Sequence, residues 1–198
     1  MNTLSEPKLV ATLSSLHEKA NEQSKPGVVI ADNSARFMAV SPAQGEFLYW
    51  LATLKNARNI VEFGCSFGVS TIYLAAAAKD NGGLVTTTEM ESAKWAPALN
   101  NINEAGLTDY VKLLKGDALE TLKAIDQPID FLFLDGAKQL YLPVFELLEP
   151  NFHSETIIFL DNTDKPDTIP CIDYIKSKAD KFVSAELFEG RSIVVYVR

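Results

Sequence analysis

Five acidic residues stand at the ends of short apolar runs or in the turns just after them: Glu62, Glu89, Asp117, Asp135 and Asp161. Lys138 follows Asp135 by three positions, and Asn162 directly follows Asp161. Carboxylates gathered along one rim repel each other, so ligands or cations are needed to offset the cost. Glu62 opens the pattern Glu-x-Gly-x-x-x-Gly-x-Ser over residues 62–70. Gly64 and Gly68 lack a Cβ, which lets the backbone turn tightly and come close to a ligand. A helix starting after them points its free N–H groups at whatever lies above the strand. A carboxylate at that point repels a dinucleotide pyrophosphate. It suits a ligand that has a positive centre and a carboxylate of its own. An ordinary βα turn can also carry Gly-x-x-x-Gly, so the later motifs decide.

The elements that must position these groups read in order along the chain. Residues 7–23 place Leu9, Val10, Leu13 and Leu16 on one helical face, started by Pro7 and stopped by Pro26-Gly27. This helix either covers a substrate mouth or packs on a second subunit, and His17 on it reads as a surface residue. Ser41-Pro42 caps a helix running to Lys55. The segment before it, residues 35–46, is expected to run past the ligand pocket. Apolar strands are predicted over 60–63, 84–88, 110–114, 129–135 and 156–161, with helices over 71–79, 92–104, 118–124 and 139–149 between them. Residues 182–188 and 191–198, separated by Glu189-Gly190, read as a hairpin. Alternating strands and helices that end in a hairpin predict an open, mostly parallel α/β sheet with ligands along its carboxyl edge.

The pattern at 62–70 resembles the first motif of class I S-adenosylmethionine-dependent methyltransferases. The resemblance spans about residues 40–197. It implies a Rossmann-like, doubly wound, seven-stranded sheet of order 3-2-1-4-5-7-6 with helices on both faces. S-adenosylmethionine would then meet Glu62, Gly64, Gly68 and Ser70 at its amino-acid end. Glu89 would hold its ribose and Asp117-Ala118 its adenine, with Asp135 nearby. Asp117 also reads as a simple helix cap, and the two roles are compatible.

Asp135-Gly-Ala-Lys138 together with Asp161-Asn162 is similar to the metal site of catechol-type and caffeoyl-coenzyme-A-type O-methyltransferases. That resemblance implies a divalent cation, Mg²⁺, on Asp135, Asp161 and Asn162, with Lys138 as general base. Three oxygen ligands leave room in an octahedral shell for two substrate oxygens and a water. Read without the family, Asp161-Asn162 is a turn and cap, and Lys138 a solvated residue at a helix start. Gly136 and Ala137 replace bulkier residues, which predicts a more open acceptor pocket. His153 is expected in a connecting loop away from the catalytic edge.

Composition bounds the rest. At 198 residues and 47% hydrophobic, the chain suits one domain over 1–198: a helix and cofactor-flanking segment over 1–40, then a Rossmann-like core over 41–198. A net charge of −8 argues against a nucleic-acid surface. Cys65 and Cys171 make no disulfide framework, no signal peptide is recognisable, and no apolar run is long enough to span a bilayer. The expected setting is cytoplasmic, with a small-molecule acceptor, no nucleic acid and no membrane. A homodimer is compatible with the resemblance. Three readings stay open: a metal-assisted O-methyltransferase for a catechol-like or vicinal-diol acceptor, a metal-independent small-molecule methyltransferase, and a catalytically silent S-adenosylmethionine-binding protein. An NAD-linked oxidoreductase is disfavoured because Gly-x-Gly-x-x-Gly is missing.

Overall fold

The computed structural model describes residues 2–30 and 32–198, built around one continuous sheet. Its strands are β1 (Asn59–Phe63), β2 (Leu84–Glu89), β3 (Val111–Lys115), β4 (Ile129–Leu134), β5 (Phe152–Asp161), β6 (Phe182–Leu187) and β7 (Ser192–Val197). They lie in the order β3-β2-β1-β4-β5-β7-β6, as the resemblance implies. The first five pair in parallel, and β7 runs antiparallel to both β5 and β6. Parallel pairing brings the ends of β1, β2, β4 and β5 to one edge. That edge carries every acid discussed above.

Side chains alternate faces along a strand, and β4 shows how each face is covered. Phe131 and Phe133 pack with Ile60, Val85 and Phe159 under α1 (Pro7–Gln23), α2 (Pro42–Leu54) and α3 (Val69–Asn81). Leu132 and Leu134 pack with Val61, Ile158 and Leu160 under α6 (Tyr141–Leu148) and α7 (Ile169–Ser177), with the short α5 (Ala118–Thr121) beside them. α4 (Ser92–Glu104) adds Ile102 to the first cluster. Phe133 is fully buried, and cutting it to alanine would cost about 3–5 kcal/mol.

Local sequence explains where the site helices begin. Ser41 Oγ accepts from Gln44 N–H at 3.2 Å and Gln44 Oε1 accepts from Ser41 N–H at 3.5 Å, a reciprocal cap on α2. α3 starts after Gly68, which is left-handed at φ 86°.

Several expectations need correcting. α1 buries Leu9, Thr12, Leu13 and Leu16, while Val10 is turned to solvent, one position off that stripe. His17 is half-buried, not a surface residue, with Nε2 3.0 Å from the Tyr73 hydroxyl. α1 packs on the body of the fold, and Gln23 and Ser24 at its end reach the ligand cavity. His153 belongs to β5 and not to a loop; its Nε2 lies 3.1 Å from Asp130 Oδ1, at the amino-terminal edge away from the site. α6 begins at Tyr141 after a 3-10 turn over Lys138–Leu140. α7 is an additional helix to which the sequence reading assigns nothing. Among the described residues, no helix is long and apolar enough to cross a membrane.

Candidate functional site

A cavity of about 830 Å³ opens at the carboxyl edge of the sheet. Its walls include Gly64, Ser70, Glu89, Asp117, Ala118, Asp135, Lys138, Asp161 and Asn162. The segment from Arg36 to Val40 closes one side, with Phe37 stacked on Phe67 at 4.5 Å between ring centroids, so residues 36–40 of the segment expected to pass the pocket line it.

On the β1–β3 side the two acids that line the cavity, Glu89 and Asp117, are held by main chain. Glu89 accepts from Ser66 N–H at 2.6 Å and from Glu91 N–H at 2.8 Å. Ser66 sits at φ 48°, a conformation that is uncommon outside glycine, and the Glu89 carboxylate supports it. Asp117 is exposed, lines the cavity and caps α5 through Leu119 N–H, which donates to its Oδ1 at 2.9 Å. Ser70, at the start of α3, is buried and also lines the wall.

Glu62 and Gly68 are brought near the cavity but do not line it. Glu62 is fully buried beneath the loop, because hydroxyls of Thr71 (2.5 Å) and Thr87 (2.6 Å) draw its Oε2 inward. Its Oε1 has no hydrogen-bond partner. Burial pushes its pKa up to about 7, although the hydroxyl donors oppose that shift. In this structure Glu62 supports the turn through Thr71 and Thr87. Cys65 is a buried packing residue whose thiol is pushed up by burial.

On the β4–β5 side the acids are held by side chains. Lys138 Nζ lies 2.8 Å from Asp135 Oδ1 and 3.0 Å from the Tyr141 hydroxyl. Tyr141 is fully buried, with its hydroxyl 2.7 Å from Leu134 O and 2.9 Å from Asp161 O, donating to one at a time. Burial, then the charges of Asp135 and Asp161, hold this phenol well above its usual range, so it stays a donor. Burial pushes Asp135 up to about 6; Lys138 opposes the shift and Asp161 adds to it.

Asp161 Oδ1 accepts from Gln44 Nε2 at 2.6 Å and from Ser192 Oγ at 2.8 Å. Asn162 sits at φ 54° beside it. Gln44 and Ser192 are functional neighbours that the sequence reading missed. The only local signal was Gln44 at the third position of a capping box, which says nothing of Asp161.

Gly136 also departs from expectation. A Cβ there would lie 2.5 Å from the Phe63 ring, and one on Gly64 would lie 2.8 Å from Gly136 Cα. The missing side chain at 136 is filled by Phe63 and by backbone, so it buys no extra acceptor space.

Among the described residues, no group of three or more His, Cys, Asp and Glu side chains is placed to hold a metal ion. The candidate set is two carboxylates and the Asn162 amide, all lining the same cavity. Oxygen donors of this kind match a hard divalent cation. Mutual repulsion of Asp135 and Asp161 is what such an ion would relieve. The donor set therefore fits a cation, with Lys138 competing for Asp135 Oδ1.

Comparison with known proteins shows which family and fold the chain shares. A family model described as "Methyltransferase domain" matches residues 61–163. The chain is similar to a protein named catechol O-methyltransferase from Niastella koreensis, 36% identical over 137 residues, or 67% of this chain and 62% of that protein. It is also similar to a catechol O-methyltransferase of Mycobacterium tuberculosis, 39% identical over 52% of this chain and 46% of that protein. The chain thus spans under two thirds of these curated relatives. In structure it is similar to an O-methyltransferase from Bacillus cereus in complex with SAH: TM-score 0.75, 27% identity, covering 95% of this chain and 91% of that one.

Proposed function

We propose a reaction from one premise: the chain belongs to the methyltransferase-domain family whose model it matches. The reading is S-adenosylmethionine-dependent O-methylation of a small catechol-like or vicinal-diol acceptor, assisted by a divalent cation. One observation carries it. A single cavity joins the Glu89–Asp117 wall to a wall bearing Asp135, Lys138, Asp161 and Asn162.

Glu89 would take the ribose hydroxyls on its carboxylate, and Asp117 the exocyclic amine of adenine. The carboxylate of the donor would meet Ser70 and the N–H groups of the glycine turn. When bound, S-adenosylmethionine supplies a sulfonium methyl group, which passes to the acceptor oxygen as its carbon–sulfur bond breaks. Asp135, Asp161 and Asn162 would hold the cation, whose charge favours an ionised acceptor hydroxyl. Lys138 Nζ, positioned by Asp135 and Tyr141, would first release its own extra proton to solvent and then, as the neutral amine, take the hydroxyl proton. The rigid placement of both walls supplies alignment, the larger part of the rate gain.

The Lys138–Asp135 ion pair at 2.8 Å favours a second reading, in which lysine alone offsets the acid and no metal is needed. Calorimetry separates the two. S-adenosylhomocysteine is titrated first, then a catechol with Mg²⁺ or with EDTA, in wild type and in Asp161→Ala. The metal-assisted reading expects cofactor binding in all cases, and catechol binding only in wild type with Mg²⁺. Equal catechol binding in EDTA selects the metal-free reading, and absent cofactor binding ends both.

A further inference from the structure

A second, smaller cavity of about 120 Å³ is lined by Ser41, Gln44, Asp161, Asn162, Phe188 and Arg191. Asp161 and Asn162 line the large cavity too, so the two share a wall at the acceptor end. The acid of that wall is already engaged, since Gln44 and Ser192 both donate to Asp161 Oδ1. Ser41 Oγ is engaged by Gln44 N–H. Arg191 is exposed; its Nε donates to Phe188 O at 3.4 Å, and Asp164, which pairs with Lys165 at 2.9 Å, also feels its charge. Among the described residues, no carboxylate lies within ion-pair distance of the Arg191 guanidinium. The position of Arg191 is fixed by its main chain, whose carbonyl accepts from Thr163 N–H at 2.9 Å next to the β5 tip.

Resting on the acceptor reading above, we propose that Arg191 forms a subsite for a carboxylate carried by the acceptor. A guanidinium presents paired N–H donors that match a carboxylate in two-point fashion, more selectively than an ammonium. Phe188 offers an apolar side to the short linker between ring and carboxylate. Arg191 lines the small cavity that shares Asp161 and Asn162 with the large one, which is where a carboxylate on the acceptor would meet it. The substrate class becomes a small acidic catechol or diol, not a neutral one.

The test titrates 3,4-dihydroxybenzoate and 4-methylcatechol into protein saturated with S-adenosylhomocysteine and Mg²⁺. Wild type, Arg191→Gln and Arg191→Lys are compared. Wild type should bind the carboxylate roughly ten-fold more tightly than the neutral diol. Arg191→Gln should bring the ratio close to one, and Arg191→Lys should keep part of it. An equal ratio in wild type and Arg191→Gln, or no preference in wild type, overturns the subsite. Methyl transfer is read separately by mass spectrometry. Its absence counts against the proposed reaction, while the binding ratio alone decides on Arg191.

Discussion

On the β1–β3 side of the cavity, Glu89 is held by the N–H groups of Ser66 and Glu91, and Asp117 by that of Leu119. On the β4–β5 side, Asp135 and Asp161 are held by the side chains of Lys138, Gln44 and Ser192. Main-chain donors come with the turn itself and survive most substitutions. Side-chain donors can be exchanged one at a time, and two of them arrive from elsewhere in the chain. Gln44 lies 117 residues from Asp161, and Ser192 lies 31. A cofactor common to many reactions suits the first kind of support, and a variable acceptor suits the second.

If the two sides are independent, acceptor-side changes should leave cofactor affinity alone. Lys138→Ala should lower kcat about a thousand-fold while the Kd for S-adenosylhomocysteine moves less than two-fold. A large loss of cofactor affinity in that variant would break the division. Glu89→Ala tests the other side. It removes two charge-assisted bonds and the support of left-handed Ser66, so cofactor Kd should rise about 10–100-fold by calorimetry. Gln44→Ala sharpens the comparison by deleting a single long-range donor. Acceptor kcat/KM should fall about ten-fold with cofactor Kd unchanged.

The smallest effect concerns Glu62. Its folded pKa, raised by burial to about 7 from an ordinary 4.5, means the folded state binds a proton that the unfolded chain has lost. Stability is then fully present below about pH 4.5 and falls as pH rises towards 7. In Glu62→Gln, urea midpoints measured across that window should show a flatter pH dependence. An unchanged slope would mean that Glu62 is ionised in the fold.

The same contrast explains what could be read from the residues alone. The strands and the turn at Gly64–Gly68 were legible, because apolar runs, glycines and acids mark them within a dozen residues, while the strand order came from the family resemblance. The cavity walls at Glu89, Asp117 and Asp135 were legible for the same reason. Gln44 and Ser192 were not, since no local spacing relates a helix cap to a strand tip so far along the chain. The inward turn of Glu62 was hidden too: it depends on Thr71 and Thr87 hydroxyls from two other elements. α7 went unread because its nine residues include a proline near the start and show no long apolar period.

Gly64 and Gly136 meet main chain to main chain, with no room for even a methyl group between the first and fourth strand ends. Under the proposed reaction, that contact would fix the spacing between the donor wall and the acceptor wall through backbone at Gly64 and through the Phe63 ring at Gly136. A lineage that retailors the acceptor loops can therefore swap substrates freely while this ruler keeps its length, and a single alanine at either glycine should spoil every substrate at once.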